Sequence, residues 1–221
     1  MTTLELPKET TATIPSTRRA AYDEFLAAYA DQHAEWVNGQ VITYMSAKER
    51  HQVLLLFIST LLQLFVDVFK SGKVRTGPYA MFLAVQNAHR EPDVFFISAE
   101  HSERLTTNRL EGPADLVIEI VSDDSVTRDR VDKFDEYEAA GIPEYWIIDP
   151  RPNRQRANFY QLDERGQYQP VLPDKNGVYR SAMLTGFWLN VNWLWQAELP
   201  APLRALGEIA GRERVVEALG K

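Results

Sequence analysis

The chain has 221 residues, 45% hydrophobic and 25% charged, which suits one globular domain with a full-sized core. It has no cysteine, which excludes disulfides and thiolate metal sites and fits a reducing cytoplasm, the expected location. Its formal net charge of −7 weighs against a broadly basic, DNA-gripping surface and leaves room only for a local basic groove.

Residues 1–16 are Thr-rich with scattered charge and lack the apolar core of a signal peptide, so a loose tail is expected there. Thr17 to Gln32 has helical composition, with Tyr22, Phe25, Leu26 and Tyr29 on one side. Glu35-Trp36-Val37, Asn38-Gly39 and Val41 to Tyr44 read as a hairpin, because Asn and Gly both tolerate positive φ. Val53 to Phe69 is long and apolar. It is short for a membrane span and contains Gln63 and Asp67, so a buried or interface helix is expected, with no membrane. Its apolar surface is wider than one stripe, which suggests a homodimer.

Lys73 to Val85 holds two short strand-like runs, and Gln86 to Arg90 reads as a loop. Asp93 opens the apolar run Val94 to Ile97, and His101 to Pro113 reads as a loop with one turn. Asp115 to Val121 has the β-branched, continuously apolar character of a strand buried on both faces. Val126 to Ala140 has helical spacing, with Val131, Phe134 and Tyr137 at three-residue steps, and Gly141 and Pro143 end it. Its charges, mostly acidic, read as a solvated face. Glu144 to Ile148 is a second strand, and strand, helix and strand together predict a right-handed parallel crossover.

Two strands flanking Asp163 to Gly166, further strands over Val178 to Ala182 and Phe187 to Leu194, and a helix over Leu203 to Leu219 complete the chain. Trp188, Trp193 and Trp195 read as core rather than as a base-stacking platform. There is no Gly-rich phosphate loop, no G-x-S-x-G elbow, and no paired histidines that would suggest zinc.

Glu119 stands out because it lies between Ile118 and Ile120, where a carboxylate is costly to bury. Either it meets solvent at a sheet edge or it holds a metal with a second carboxylate. Asp93, after Glu91-Pro92, is the candidate partner, and two strand carboxylates suit Mg²⁺, which retains waters and can activate one. Lys133 lies on the following helix, one turn from Arg130 and from Tyr137; spacing alone makes it a solvated lysine.

The run EPDV, the strand IEIVS, the helix with Lys133 and the sequence GIPEYWIIDP together resemble the Uma-two family of restriction-endonuclease type, within the PD-(D/E)XK nuclease-like superfamily. The resemblance extends to EWVNGQVITYMSA and covers roughly Asp31 to Leu194. It implies a Mg²⁺-dependent DNA endonuclease, with Mn²⁺ as a substitute. Asp93 and Glu119 would be the metal ligands. The superfamily lysine would fall at Val121, and the resemblance implies that its role has moved to Lys133. Glu35 and His51 match polar family positions and are accessory candidates.

The expected fold is α/β: a restriction-endonuclease-like mixed central sheet flanked by helices, with an extra β-hairpin region toward the C-terminus. The expected organisation is a tail over 1–16, one domain over 17–200 and a C-terminal helix over 201–221. The competing reading is a non-catalytic, nuclease-fold nucleic-acid-binding module of a mobile-element or defence system.

Overall fold

The computed structural model describes residues 17–29, 34–43, 49–123, 125–126 and 128–220. The expected tail over 1–16 lies outside them, as do Gln32 and Tyr44.

The architecture is mixed α/β, as the sequence implies, but the described strands divide between two six-stranded sheets and a two-stranded one toward the C-terminus rather than forming a single central sheet. The first sheet contains β1 (Thr17–Arg19), β2 (Ala34–Val37), β3 (Gln40–Thr43), β5 (Ala80–Leu83), β6 (Ala88–Arg90) and β8 (Arg109–Glu111), in the order β1-β3-β2-β6-β5-β8. The second contains β4 (Gly72–Thr76), β7 (Val94–Ser98), β9 (Leu116–Ile120), β10 (Glu144–Asp149), β11 (Arg156–Leu162) and β12 (Tyr168–Pro170), in the order β12-β11-β10-β9-β7-β4. Strands β9 and β10 run parallel, with Glu119 opposite Ile147, as the crossover predicts. Strand β7 runs antiparallel to β9, so Asp93, just before β7, lies at the C-terminal end of β9.

Strand β9 separates two cores. Leu116, Ile118 and Ile120 join one apolar cluster; Val117 and Val121 join another. Alternation along a strand produces this division and directs Glu119 to the side of Val117 and Val121. The first core is filled by α2 (Glu49–Phe69), whose Leu54, Phe57, Ile58, Leu61, Leu62, Phe65 and Val66 are buried. Each such side chain contributes roughly 1.5–3 kcal/mol of transfer free energy, before entropy is set against it. By length and composition α2 could cross a membrane. Instead it lies against β4, β9, α4 (Pro202–Ala210) and α5 (Arg212–Leu219). These contacts account for most of the apolar width that suggests a dimer, leaving Leu56 at 69% exposure and Val53 at 38% as its large exposed apolar residues.

Several elements depart from expectation. The segment Thr17 to Gln32 is not one helix: Thr17–Arg19 pairs with β3, and among the described residues α1 spans Tyr22–Tyr29. The exposed edge of the Asn38-Gly39 hairpin captures the chain there as a strand. Within the expected loop Gln86 to Arg90, Ala88–Arg90 forms β6, paired with both β2 and β5. Arg109–Glu111 likewise adds β8 beside β5 in the expected loop His101 to Pro113, whose one turn is the 3-10 turn Ser102–Arg104. Phe187 to Leu194 yields only β14 (Trp188–Asn190), paired with β13 (Val178–Arg180), before a 3-10 turn over Val191–Trp195. The C-terminal helix breaks at Gly211, whose φ of 83° leaves the helical region. Trp193 is buried and Trp188 and Trp195 pack against the core, consistent with their reading as core residues.

The crossover helix differs most. It begins as a π-helical turn, Arg128–Asp132, and becomes α3 only at Lys133–Ala139. The wider turn shifts the register of the following face. Val131 is therefore 51% exposed although the three-residue pattern places it inside, while Asp129 and Lys133 point inward and are buried. The Asp129 carbonyl accepts a hydrogen bond from Tyr145 Oη at 2.8 Å, which satisfies a backbone group on the π turn. Gly141, with φ 76°, closes α3, and Ile142 N–H bonds back to Tyr137 O.

Candidate active site

The five predicted site residues come from five different elements: Glu35 from β2, His51 from α2, Asp93 from the entry to β7, Glu119 from β9 and Lys133 from α3. Glu119, Glu35 and Lys133 meet directly. Lys133 Nζ donates to Glu119 Oε1 at 2.8 Å and lies 3.1 Å from Glu35 Oε1 and 3.7 Å from Asp129 Oδ1. The Lys133 side chain is 3% exposed, so the solvated reading drawn from spacing does not hold. Tyr137 Oη donates to the same Glu119 oxygen at 2.9 Å. Burial, then the charge of Glu119, raises the Tyr137 pKa well above its usual value, which keeps it a donor.

Asp93 completes the pair through the backbone. Its Oδ2 accepts the N–H of Ile120, the residue after Glu119, at 2.7 Å. Its Oδ1 lies 3.3 Å from His51 Nε2. Burial disfavours the imidazolium of His51, but the hydrogen bond and charge of Asp93, with Asp129 adding, outweigh it and raise the pKa.

Glu35 is fully buried and bridges two cations. Its Oε2 accepts from Arg90 Nη1 at 2.7 Å, while its Oε1 faces Lys133 and accepts Glu91 N–H at 3.2 Å. Arg90 also donates twice to Glu136, both at 2.7 Å. This bidentate pair fixes α3 against β6.

Asp129 is the main residue the sequence reading missed. It is 2% exposed, and its Oδ2 accepts from Ser125 Oγ. Its signal was present: Asp129, Lys133 and Tyr137 follow one another at four-residue steps along one helix face. Arg130, by contrast, turns away from Lys133 toward Asn158 and Asp149.

Negative charge exceeds positive charge at this site. Burial first, then Asp129, Asp93 and Glu35 acting against Lys133, push the Glu119 carboxyl up to about 8. Burial and Glu35 push Glu91 to about 8 as well. Buried carboxylates facing one another with too little positive charge suit a hard cation, and their oxygens are the donor type Mg²⁺ takes. Among the described residues no group of three or more carboxylate, imidazole or thiol side chains forms a ready-made metal cage. One or two carboxylates, with water and substrate phosphate completing the sphere, is the usual Mg²⁺ arrangement.

A family model described as "Putative restriction endonuclease" matches residues 22–192. The chain belongs to this Uma2 family. Glu35, His51, Asp93, Glu119 and Lys133 all fall within the Uma2 match. Among solved structures the chain is similar to a putative nuclease belonging to DUF820 from Anabaena variabilis, with a TM-score of 0.64 and 15% identity, covering 78% of this chain and 96% of that one. At that identity the likeness speaks for the fold, which is nuclease-like. No curated protein matches the chain. Uma2 membership and the fold support a nuclease function.

Proposed function

We propose that the protein is a Mg²⁺-dependent DNA endonuclease whose site is the Asp93, Glu119 and Lys133 cluster. The observation that carries this reading is Glu119, a buried carboxylate held by Lys133 and Tyr137 and hydrogen-bonded through the next residue to Asp93. Asp93 and Glu119 would hold the cation. The chemistry that Mg²⁺ supplies when held there is polarisation of the scissile phosphate and activation of water.

The chain's own residues supply the remainder. Tyr137 and Lys133 fix the orientation of Glu119, and Ile120 N–H fixes that of Asp93, so the two carboxylates need little reorganisation on binding. His51 orients Asp93 from the other side. Lys133 brings an ammonium to the charge that develops on the phosphate during attack, and Glu35 positions that ammonium. The acidic surroundings of Lys133 hold its pKa above the ordinary value despite burial, so it acts as a charge and not as a base. A homodimer would present two such sites to the two strands of a duplex; with α2 largely covered, this strand requirement is its remaining argument.

The test is cleavage of supercoiled plasmid by the purified protein with Mg²⁺, with Mn²⁺ and with chelator. Asp93→Asn and Glu119→Gln should abolish cleavage while retaining the circular-dichroism spectrum. Cleavage unaffected by chelator would refute the metal assignment.

A further inference from the structure

Three arginines converge on one buried carboxylate beside the site. Asp149, at the end of β10, is fully buried and accepts from Arg151 Nε and Nη2 at 2.8 and 2.9 Å. Arg130 Nη2 lies 3.4 Å from it and Arg156 Nε 3.9 Å. Among the described residues the next carboxylate, Asp123, reaches Arg151 only at 4.0 Å and is 59% exposed. The cluster is therefore locally positive in a chain of net charge −7. Its under-compensation also acts on Arg130, whose pKa is lowered by burial and then by the charge of Arg156.

Position links this cluster to the acidic site. Asp149 pairs with Arg156 across β10 and β11, and Ile148 pairs with Ile120, to which Asp93 is bonded. All four strands β11, β10, β9 and β7 present these residues at the same end of the sheet. At roughly 4.8 Å between strands, the cluster stands two or three strands, on the order of 10–15 Å, from Asp93. At about 3.4 Å of axis per nucleotide, that span is roughly three to four nucleotides of one DNA strand.

We infer that Arg156, backed by Arg151 and Arg130 on Asp149, is the phosphate-binding clamp that holds the DNA backbone against the acidic site. Arg156 is 54% exposed and makes the direct contact; Arg151 and Arg130, at 13% and 17%, sustain the positive field behind it. The arrangement supplies the attraction that a surplus of carboxylates at the neighbouring site would otherwise oppose. The inference rests on the nuclease reading for its substrate but can be tested apart from catalysis.

The experiment is fluorescence anisotropy of a labelled duplex with the full chain, without added divalent cation, across a salt series. Arg156→Gln should weaken binding several-fold at low salt and lower the slope of log K against log salt by about 0.9, the loss of one phosphate contact. Arg156→Glu should weaken it further, and Arg151→Gln should weaken it while lowering the slope less. Arg165→Gln, at the opposite end of β11, should bind as wild type. Arg156 is half-exposed, so its variants are expected to fold, and the circular-dichroism melt verifies this. Wild-type affinity and slope in both Arg156 variants would overturn the clamp, as would failure of the wild type to bind DNA. DNA bound through Arg156 without any cleavage under Mg²⁺ would sink the nuclease reading alone; cleavage indifferent to Arg156 would sink the clamp alone.

Discussion

Lys133 Nζ donates to Glu119 Oε1 at 2.8 Å, with the two side chains 3% and 4% exposed. The lysine does not stand on the strand of its glutamate. It arrives from the crossover helix, through the register shift of the π turn, and its long stem carries the ammonium to the carboxylate.

Lys133→Ala should cost more than activity. It leaves Glu119, Glu35 and Asp129 facing one another in a buried site. Removing one partner of such a network costs about 3–5 kcal/mol. Urea unfolding should show that loss, and turnover should fall by about a hundredfold or more. Lys133→Arg should rescue poorly, since the planar guanidinium does not fit the site of a compact ammonium. A stability change under about 0.5 kcal/mol, the usual surface range, would contradict the buried network.

Glu119 also sets a pH dependence. Its folded pKa, about 8, lies above the ordinary carboxylate value of 4.5, and Glu91 behaves alike. Between those values the folded state binds more protons than the unfolded one, so stability falls as pH rises from 4.5 through 8. His89, lowered to about 4 by burial and then by Arg109, acts in the opposite direction between about pH 4 and 6.5. The cation-free protein should therefore lose thermal stability from pH 6.5 to 8.5, and Glu119→Gln should lose less. Parallel melting curves for the two proteins over that range would count against the buried, protonated carboxyl.

Glu144 is expected to matter for folding rather than for chemistry. It is fully buried and accepts from Trp146 Nε1, Tyr179 Oη, Ser181 Oγ and the N–H groups of Ala182 and Met183, all within 2.9 Å. Glu144→Ala strands these donors, each at roughly 1–3 kcal/mol, non-additively. A loss of at least about 3 kcal/mol in denaturant is expected. Protein that remains folded should retain its metal affinity by calorimetry; a loss of that affinity would place Glu144 in the site.

The sequence made the site's strands legible because β9 and β10 are buried on both faces, and only Glu119 interrupts the apolar run of β9. Asp93 was legible from the rigid Glu91-Pro92 entry. Lys133 was legible only through the family resemblance, because helical spacing does not reveal a π turn. The same turn exposes Val131, whereas Asp129 was legible from its four-residue step to Lys133. The first sheet was hidden for a different reason: β1, β6 and β8 have three residues each, and such short strands exist through pairing with neighbours rather than through their own periodicity. Glu144, inside the run GIPEYWIIDP that carries part of the resemblance, shows that a motif residue can be the hub of a structural hydrogen-bond network.

The central claim is that Asp93 and Glu119 together hold a divalent cation. Titration calorimetry with Mg²⁺ and Mn²⁺ on wild type, Asp93→Asn and Glu119→Gln tests it without requiring turnover. Wild type should bind one cation per chain weakly, each variant should lose that binding, and each should remain folded. Equal binding by wild type and both variants, or no binding by wild type, would contradict it.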